Sequence, residues 1–239
     1  MSQELSYQGY ILKTQDLGEA DLLLTFFAAD EGKMRFLVKS AKKLTSRLSG
    51  RLQPTALIEV TLAGQSSLAK LIGAQILNNH PALLESQAQM TAVLVIQEFT
   101  NRALPDHQPN SELFEAYTEA LGAFEQATAQ TIVVEVDKFL VKGLSAIGLA
   151  PRLLDQASNG AGIFFSLSEG RFTLTPSAVD DLKISQAEYL LYQDLLLDKD
   201  IDPISSTSAV MLLKLLNDFT AYQLERPMLA VQNFINLAS

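Results

Sequence analysis

Five short, largely apolar segments lie in the first eighty residues of the chain, and polar residues are interspersed among them. These segments fit β-strands separated by turns rich in Gly, Ser, Asp and Pro, and they are residues 10–14, 21–27, 33–39, 56–62 and 68–74. In the third segment, Met34, Phe36 and Val38 alternate with basic residues. Successive side chains leave opposite faces of a strand, so this segment predicts one apolar and one basic face.

Five short strands close together in the sequence favour a small closed barrel such as the OB-fold, because closure leaves no strand edge exposed. A four-stranded, sandwich-like sheet is the competing interpretation. Phe26, Phe27 and Phe36 are expected in the core of the barrel, while Tyr7 and Tyr10 are left unassigned.

The apolar spacing changes to that of helices after residue 80. Apolar stripes at intervals of three and four residues run through residues 83–104, 111–127 and 131–149. They predict three antiparallel helices joined by short loops.

The pattern changes again after residue 160. Residues 163–167 and 171–175 flank a Gly-containing turn and predict a β-hairpin. Ser185 and Glu188 have the spacing of a capping box, which predicts a helix up to residue 197. A last helix is predicted over residues 209–224, where an Arg-Pro pair stops it.

Together these patterns predict an α+β fold with two domains. An N-terminal β-barrel would occupy residues 1–79, and a helical domain would occupy residues 80–239. A small hairpin lobe at about residues 152–178 would belong to the helical domain. A length of 239 residues fits this division, and a hydrophobic content of 48% suffices for a sizeable core.

Composition narrows the classes of protein that the chain can belong to. The sequence contains no cysteine, which excludes a disulfide framework and a thiolate metal site. Its first residues lack the basic region and apolar run of a signal peptide. No apolar stretch approaches the roughly 20 residues of a membrane span. We therefore expect a soluble, cytoplasmic protein with no membrane partner.

Charge is distributed unevenly along the chain. The net charge is −9, yet residues 1–80 carry nine basic and seven acidic side chains, against nine basic and twenty acidic ones in the remainder. Residues 33–51 carry seven basic side chains and no acidic one. Since salt screens charges beyond roughly 8 Å, this segment can attract phosphate although the whole chain is acidic.

No arrangement of residues in the sequence is typical of an enzyme. His80 and His107 are the only histidines and are expected in loops, without catalytic or metal-binding roles. Residues 198–202 have alternating acids like the start of a calcium loop, but Pro203 and Ala209 stand where that loop needs Gly and Glu. We therefore predict a non-enzymatic protein without catalytic residues, metal or cofactor.

The basic segment is the strongest indication of function. Cations that project from one surface bind phosphates and release the counterions condensed on nucleic acid. The alternative is a solvated face on a non-catalytic adaptor whose barrel binds protein and not DNA. We predict DNA binding by seven residues: Lys33, Arg35, Lys39, Lys42, Lys43, Arg47 and Arg51.

In order and spacing, the sequence resembles the RecO family of recombination mediators over most of its length. The N-terminal resemblance rests on residues 9–14 (GYILKT), 18–25 (GEADLLLT), 32–34 (GKM), 38–43 (VKSAKK), 46–48 (SRL) and 52–54 (LQP). Residues 144–151 (LSAIGLAP) and 225–229 (ERPML) with Phe234 continue it. The resemblance implies an OB domain followed by a helical domain. It also implies binding to single- and double-stranded DNA, strand annealing, and work with RecR to load RecA on strands coated by single-stranded-DNA-binding protein (SSB).

Two departures from the family pattern change what the resemblance implies. Many members carry a zinc lobe with Cys-x-x-Cys-Gly, where this chain has residues 156–160 (QASNG), so zinc is not expected. The family also tends to place basic residues after the Arg-Pro pair, where this chain has residues 230–232 (AVQ). DNA binding is therefore expected to concentrate in the N-terminal domain, and the acidic helical domain is expected to contact proteins.

Overall fold

Five strands close into a barrel at the start of the chain. A computed structural model describes residues 4–42, 48–64, 69–156, 161–176, 178–179, 181–199, 201 and 206–238. The barrel strands are β1 (Glu4–Leu17), β2 (Asp21–Ala28), β3 (Gly32–Val38), β4 (Ala56–Ala63) and β5 (Lys70–Asn79). Their order around the ring is β1-β2-β3-β5-β4, and β4 pairs with β1 to close it. The prediction of an OB-like barrel is confirmed, and the sandwich interpretation is wrong.

Strand β1 is longer than its alternating segment because it pairs with two neighbours in succession. Its first half, from Glu4 to Gly9, pairs with β4, and its second half, from Gly9 to Leu17, pairs with β2. Polar residues of β1 that face solvent are therefore held in the sheet by backbone hydrogen bonds. Sequence alternation detects an apolar face and misses strand residues of this kind.

The barrel has a different set of buried side chains on its two faces. Phe26 and Phe36 lie inside it, with ring centroids 5.6 Å apart, as predicted. Phe27 is buried outside the barrel, against Phe114 of the helical region at 5.2 Å, so its predicted place in the barrel core is wrong. Neighbouring residues of a strand point to opposite faces, and here helices cover the outer face. Tyr10 lies on that face too.

Helices form most of the chain after the barrel. After a short 3₁₀ turn (Pro81–Leu84) they are α1 (Gln87–Ala103), α2 (Ser111–Gln126), α3 (Ile132–Ala146), α4 (Gln186–Leu196), α5 (Ser206–Gln223) and α6 (Leu229–Ala238). The three predicted middle helices are confirmed, and so is α4, whose Ser185 and Glu188 form the capping box. Helix α5 is not the last helix, because the chain turns after it and forms α6. No described helix combines the length and the apolarity required to cross a membrane.

The lobe that the sequence predicts as a hairpin contains a third strand. Strands β6 (Ile163–Ser166) and β7 (Arg171–Thr173) form the hairpin, and β8 (Leu182–Ile184) pairs with the other edge of β6. Phe172 packs against Phe165 at 4.9 Å, and Phe165 packs against Phe219 of α5 at 5.3 Å. These aromatic contacts attach the lobe to the helices. Since the sequence has no cysteine, its residues do not fit the zinc site of the family.

Helix α1 fixes the barrel to the helices. The pairing of β1 with β2 shifts register between Ile11 and Lys13. At this irregularity the buried amide of Gln97 donates a hydrogen bond of 2.9 Å to the Ile11 carbonyl, which satisfies a polar group that burial would otherwise leave unpaired. The end of α1 and the loop after it are thereby placed beside β3. The division at residues 79 and 80 stays a prediction; β5 ends at Asn79.

Candidate nucleic-acid interface

Strand β3 presents its basic side chains on the outside of the barrel. Met34, Phe36 and Val38 are buried inside, as the alternation predicts. Lys33 and Arg35 therefore point outwards, towards the loop that joins α1 to α2. The Lys33 side chain is only 14% exposed, whereas that of Arg35 is 54% exposed.

A single carboxylate, that of Asp106, contacts both cations. Its Oδ1 lies 3.5 Å from Nζ of Lys33, and its Oδ2 accepts a hydrogen bond from Arg35. The hydrogen bond from Arg35 is the main reason that the pKa of Asp106 lies below its usual range, and the positive charges of both partners act in the same direction. Asp106 is therefore firmly ionised at neutral pH. Lys33 also donates a hydrogen bond of 2.9 Å to the Asn101 carbonyl.

The loop that carries Asp106 is fastened to β3 through its backbone. The amide of His107 donates to the Lys33 carbonyl at 2.9 Å. Gly32 lies so close to this loop that a Cβ atom there would come within 2.1 Å of the Gln108 carbonyl oxygen, and its φ of +75° also favours glycine. The contact between β3 and the α1–α2 loop therefore depends on residues of both segments.

The other predicted DNA-binding residues lie in separate places. Lys39 pairs with Asp21 at 3.1 Å, and Lys42 pairs with Asp16 at 2.6 Å, at the β1–β2 turn. Arg51 donates to the Ala74 carbonyl on β5 at 2.7 Å. The structure thus brings Lys33 and Arg35 together on Asp106 and does not bring Arg51 to them. Lys43 and Arg47 fall outside the described residues.

A groove between the barrel and the helices gathers further cations. This junction groove has a volume of about 500 Å³. Its lining is formed by Lys13, Gln15, Thr25, Lys33, Arg35, Asn101, Arg102, Asp106, Leu224, Glu225 and Arg226. Five of these described side chains are basic and two are acidic, so the concave surface has a net positive charge. A concave surface with one sign of charge concentrates ions of the opposite sign.

Sequence reasoning missed three of these basic residues because they are far apart in the chain. Lys13 lies on β1, Arg102 in the last turn of α1, and Arg226 in the turn between α5 and α6. No run of charge connects them, and only the packing of α1 and α6 beside the barrel brings them to one groove. A weak signal existed for Arg226, since the Arg-Pro pair belongs to the family resemblance.

The turn that carries Arg226 is held in position by an ion pair on α1. Glu98 pairs with Arg102 and accepts a hydrogen bond of 2.6 Å from the amide of Ala230. Arg102 in turn donates to the Pro227 carbonyl at 2.5 Å. The Arg102 guanidinium group therefore stabilises the turn between α5 and α6 through these contacts. The side chains of Lys13 and Arg226, by contrast, make no ion pair or hydrogen bond with any other residue in the described segments.

The two histidines lie in separate ion pairs. His80 lies 2.8 Å from Glu125, and His107 lies 3.0 Å from Glu31, each as an isolated pair. Among the described residues no group of three or more His, Asp or Glu side chains could hold a metal ion. Asp137 is fully buried in α3 and has no hydrogen-bond partner among the described residues, and burial raises its pKa well above the usual range.

Comparisons with known proteins agree with the two halves of the fold. Residues 1–80 match the family profile described as recombination protein O N terminal, and residues 85–230 match recombination protein O C terminal. The chain is 33% identical to a DNA repair protein RecO of Gloeothece citriformis over 154 residues, which are 64% of this chain and 54% of that protein. It is 22% identical to a DNA repair protein RecO of Bifidobacterium adolescentis over 233 residues, 92% of this chain and 94% of that protein.

Proposed function

We propose that this chain, which belongs to the RecO family of DNA repair and recombination proteins, is a non-enzymatic mediator that binds DNA on the surface formed by β3 and the junction groove. The observation that carries the proposal is the gathering of five basic side chains in one groove of an otherwise acidic protein. Cation-lined grooves of this kind track the backbone of a nucleic-acid strand.

Binding of this kind would depend on phosphates and not on base sequence. Each Lys or Arg that neutralises a phosphate releases counterions condensed on the strand, which supplies the free energy of association. Each ion pair of Lys39 and Lys42 has one exposed and one half-buried partner, so solvent weakens it and phosphates can replace the carboxylates at small cost. The predicted set extends from Lys33 to Arg51 and includes Lys43 and Arg47.

The family supports a wider role. The resemblance implies annealing of complementary strands and work with RecR to load RecA on strands coated by SSB, and we propose the same partners and steps for this chain. Binding to both single- and double-stranded DNA fits contacts that are limited to the sugar-phosphate backbone. The acidic helical region would contact the protein partners.

A charge-reversal variant tests the predicted basic segment of residues 33–51. Changing Lys42, Lys43 and Arg47 to Glu should abolish the binding of a labelled single strand at low salt while leaving the circular dichroism spectrum unchanged. A matched control changes three basic residues of the helical region, Lys183, Lys199 and Lys214, to Glu, and it should retain binding. Unchanged affinity of the first variant would show that these residues are not the site.

One observation favours a different function. Each of the five predicted residues that the structure describes has a partner within the chain, which would also suit a protein-binding adaptor with a solvated charged surface. An adaptor predicts no shift of a labelled oligonucleotide at micromolar protein. Binding of the strand by the wild-type chain excludes that alternative.

A further inference from the structure

Asp106 contacts two cations in the junction groove. Its two oxygens contact two different cations, Lys33 and Arg35, as two oxygens of a phosphodiester can do. The carboxylate comes from the loop between α1 and α2, whereas both cations come from β3 of the barrel. The groove around it is much larger than one side chain, at about 500 Å³, so it has room for a further anion.

The burial of Lys33 makes an anion necessary at this position. Only 14% of the Lys33 side chain is exposed to solvent. A cation in such a place is costly unless it is paired and hydrogen-bonded. The Asn101 carbonyl supplies one hydrogen bond, and among the described residues Asp106 supplies the negative charge.

We propose that Asp106 is an internal competitor of DNA, which a backbone phosphate displaces from Lys33 and Arg35 when a strand enters the junction groove. The inference rests on the proposed function and adds to it an anion exchange at a defined site. In the free protein the carboxylate keeps the two cations ordered and paired. In the complex the phosphate takes both contacts, and Asp106 turns to solvent.

The exchange requires a movement of the side chain and not of the loop. The backbone on either side of Asp106 is held, because it forms a β-bridge with Lys33 and the next amide donates to the Lys33 carbonyl. The side chain of Asp106 is itself 39% exposed, so it already has access to water. Lys13 and Arg226, which lack partners in the described segments, line the same groove and would hold the neighbouring phosphates.

The test measures the affinity of a short labelled oligothymidylate for wild-type protein and for Asp106→Asn by fluorescence anisotropy at low salt. The variant keeps the size of the side chain and removes its charge. It should bind roughly threefold to tenfold more tightly than wild type, because the ion pairs made by this partly exposed carboxylate no longer oppose binding. Glu31→Gln is the matched control: it removes a carboxylate that contacts His107 of the same loop, and its affinity should equal that of wild type.

A second background separates local exchange from a general change in net charge. In a protein that carries Lys33→Met and Arg35→Gln, the Asp106→Asn change should raise affinity clearly less than it does in wild type, since the cations that Asp106 holds are gone and only the removal of its charge remains. A gain as large as that in wild type, or a gain that Glu31→Gln matches, would overturn the exchange and leave the proposed DNA binding intact. Failure of wild-type protein and all variants to bind the strand would instead overturn the proposed function, and the exchange with it.

A measurement on wild-type protein covers the case in which Asp106→Asn does not fold. Carboxyl-carbon NMR titration gives the pKa of Asp106 with and without the oligothymidylate. Release of Asp106 from its two cations should raise its pKa towards the usual value of an aspartate. An unchanged pKa in the saturated complex would show that the carboxylate stays on Lys33 and Arg35.

Discussion

Two regions of this molecule use the same local arrangement, one aspartate shared by two cations, in surroundings of opposite charge. In the junction groove Asp106 holds Lys33 and Arg35. On the helical region Asp198 lies 3.3 Å from Lys138 and 3.4 Å from Lys142. Both aspartates have a pKa below the usual range, chiefly because a basic side chain donates a hydrogen bond to each.

The surroundings of the two aspartates decide what each region can bind. The groove adds Lys13, Arg102 and Arg226 to its ion pairs, so cations exceed carboxylates. The cleft beside Asp198 instead contains the carboxylates of α2, so acidic side chains outnumber basic ones. We name this region the α3 patch. It comprises Glu112, Glu115, Glu119, Lys138, Lys142 and Asp198. An ion pair alone therefore does not identify a phosphate site. The excess charge around it does.

The largest expected difference between the two regions is in DNA affinity. Changing Lys13 and Arg226 to Glu places two negative charges in the groove without breaking an ion pair of the described residues. Affinity for a labelled single strand should fall roughly a hundredfold at low salt, because two phosphate contacts become repulsive. Equilibrium anisotropy titration measures this change.

The matched change in the α3 patch is Lys138→Glu with Lys142→Glu. Its affinity for the strand should stay within about twofold of wild type, since these lysines are surrounded by acids that already repel DNA. Circular dichroism checks that both double variants fold. Equal losses in the two regions would remove the distinction between them.

A smaller effect concerns stability in acid. A carboxyl group whose pKa is lowered on folding contributes stability above its unfolded pKa of about 3.9, and this contribution is lost as pH falls through the folded pKa. Asp106→Asn and Asp198→Asn should each lower the free energy of unfolding at pH 7 by less than about 1 kcal/mol, because both carboxylates are exposed to solvent. Urea unfolding at pH 7 and again near pH 2 measures it.

The two stability differences should shrink as pH falls through the lowered pKa of each folded carboxyl, because the wild-type groups then become protonated as well. The loss should be larger for Asp106, whose side chain is 39% exposed, than for Asp198, which is 61% exposed and more strongly screened by solvent. A larger loss of unfolding free energy for Asp198→Asn would mean that side-chain exposure does not determine which aspartate contributes more stability.

The barrel was predictable because its strands are indicated by patterns within a few consecutive residues. Alternation identifies the inner face of β3 from seven consecutive residues, and turn residues separate it from its neighbours. The third strand of the lobe and helix α6 were missed, since β8 has three residues and α6 follows directly on a proline turn that reads as an end. Short elements of this kind are formed by the partners they pack against, which sequence periodicity does not contain.

The candidate site was predictable only in part because it depends on tertiary packing. The run of charge in residues 33–51 identified Lys33 and Arg35, which do lie in the groove. It could not identify Lys13 or Arg226, which are separated by more than two hundred positions and meet where α1, the α5–α6 turn and the barrel pack. Nor could it predict Asp106, whose role as partner depends on the backbone bridge between its loop and β3.

The salt dependence of strand binding by the wild-type chain tests the central claim most directly. If β3 and the junction groove bind DNA through phosphates, log affinity for a labelled single strand should fall linearly with log salt. With about five contacts and a slope of about −0.7 for each, the total slope should be about −3 or steeper. A flat salt response, or no binding at micromolar protein and low salt, would contradict the account.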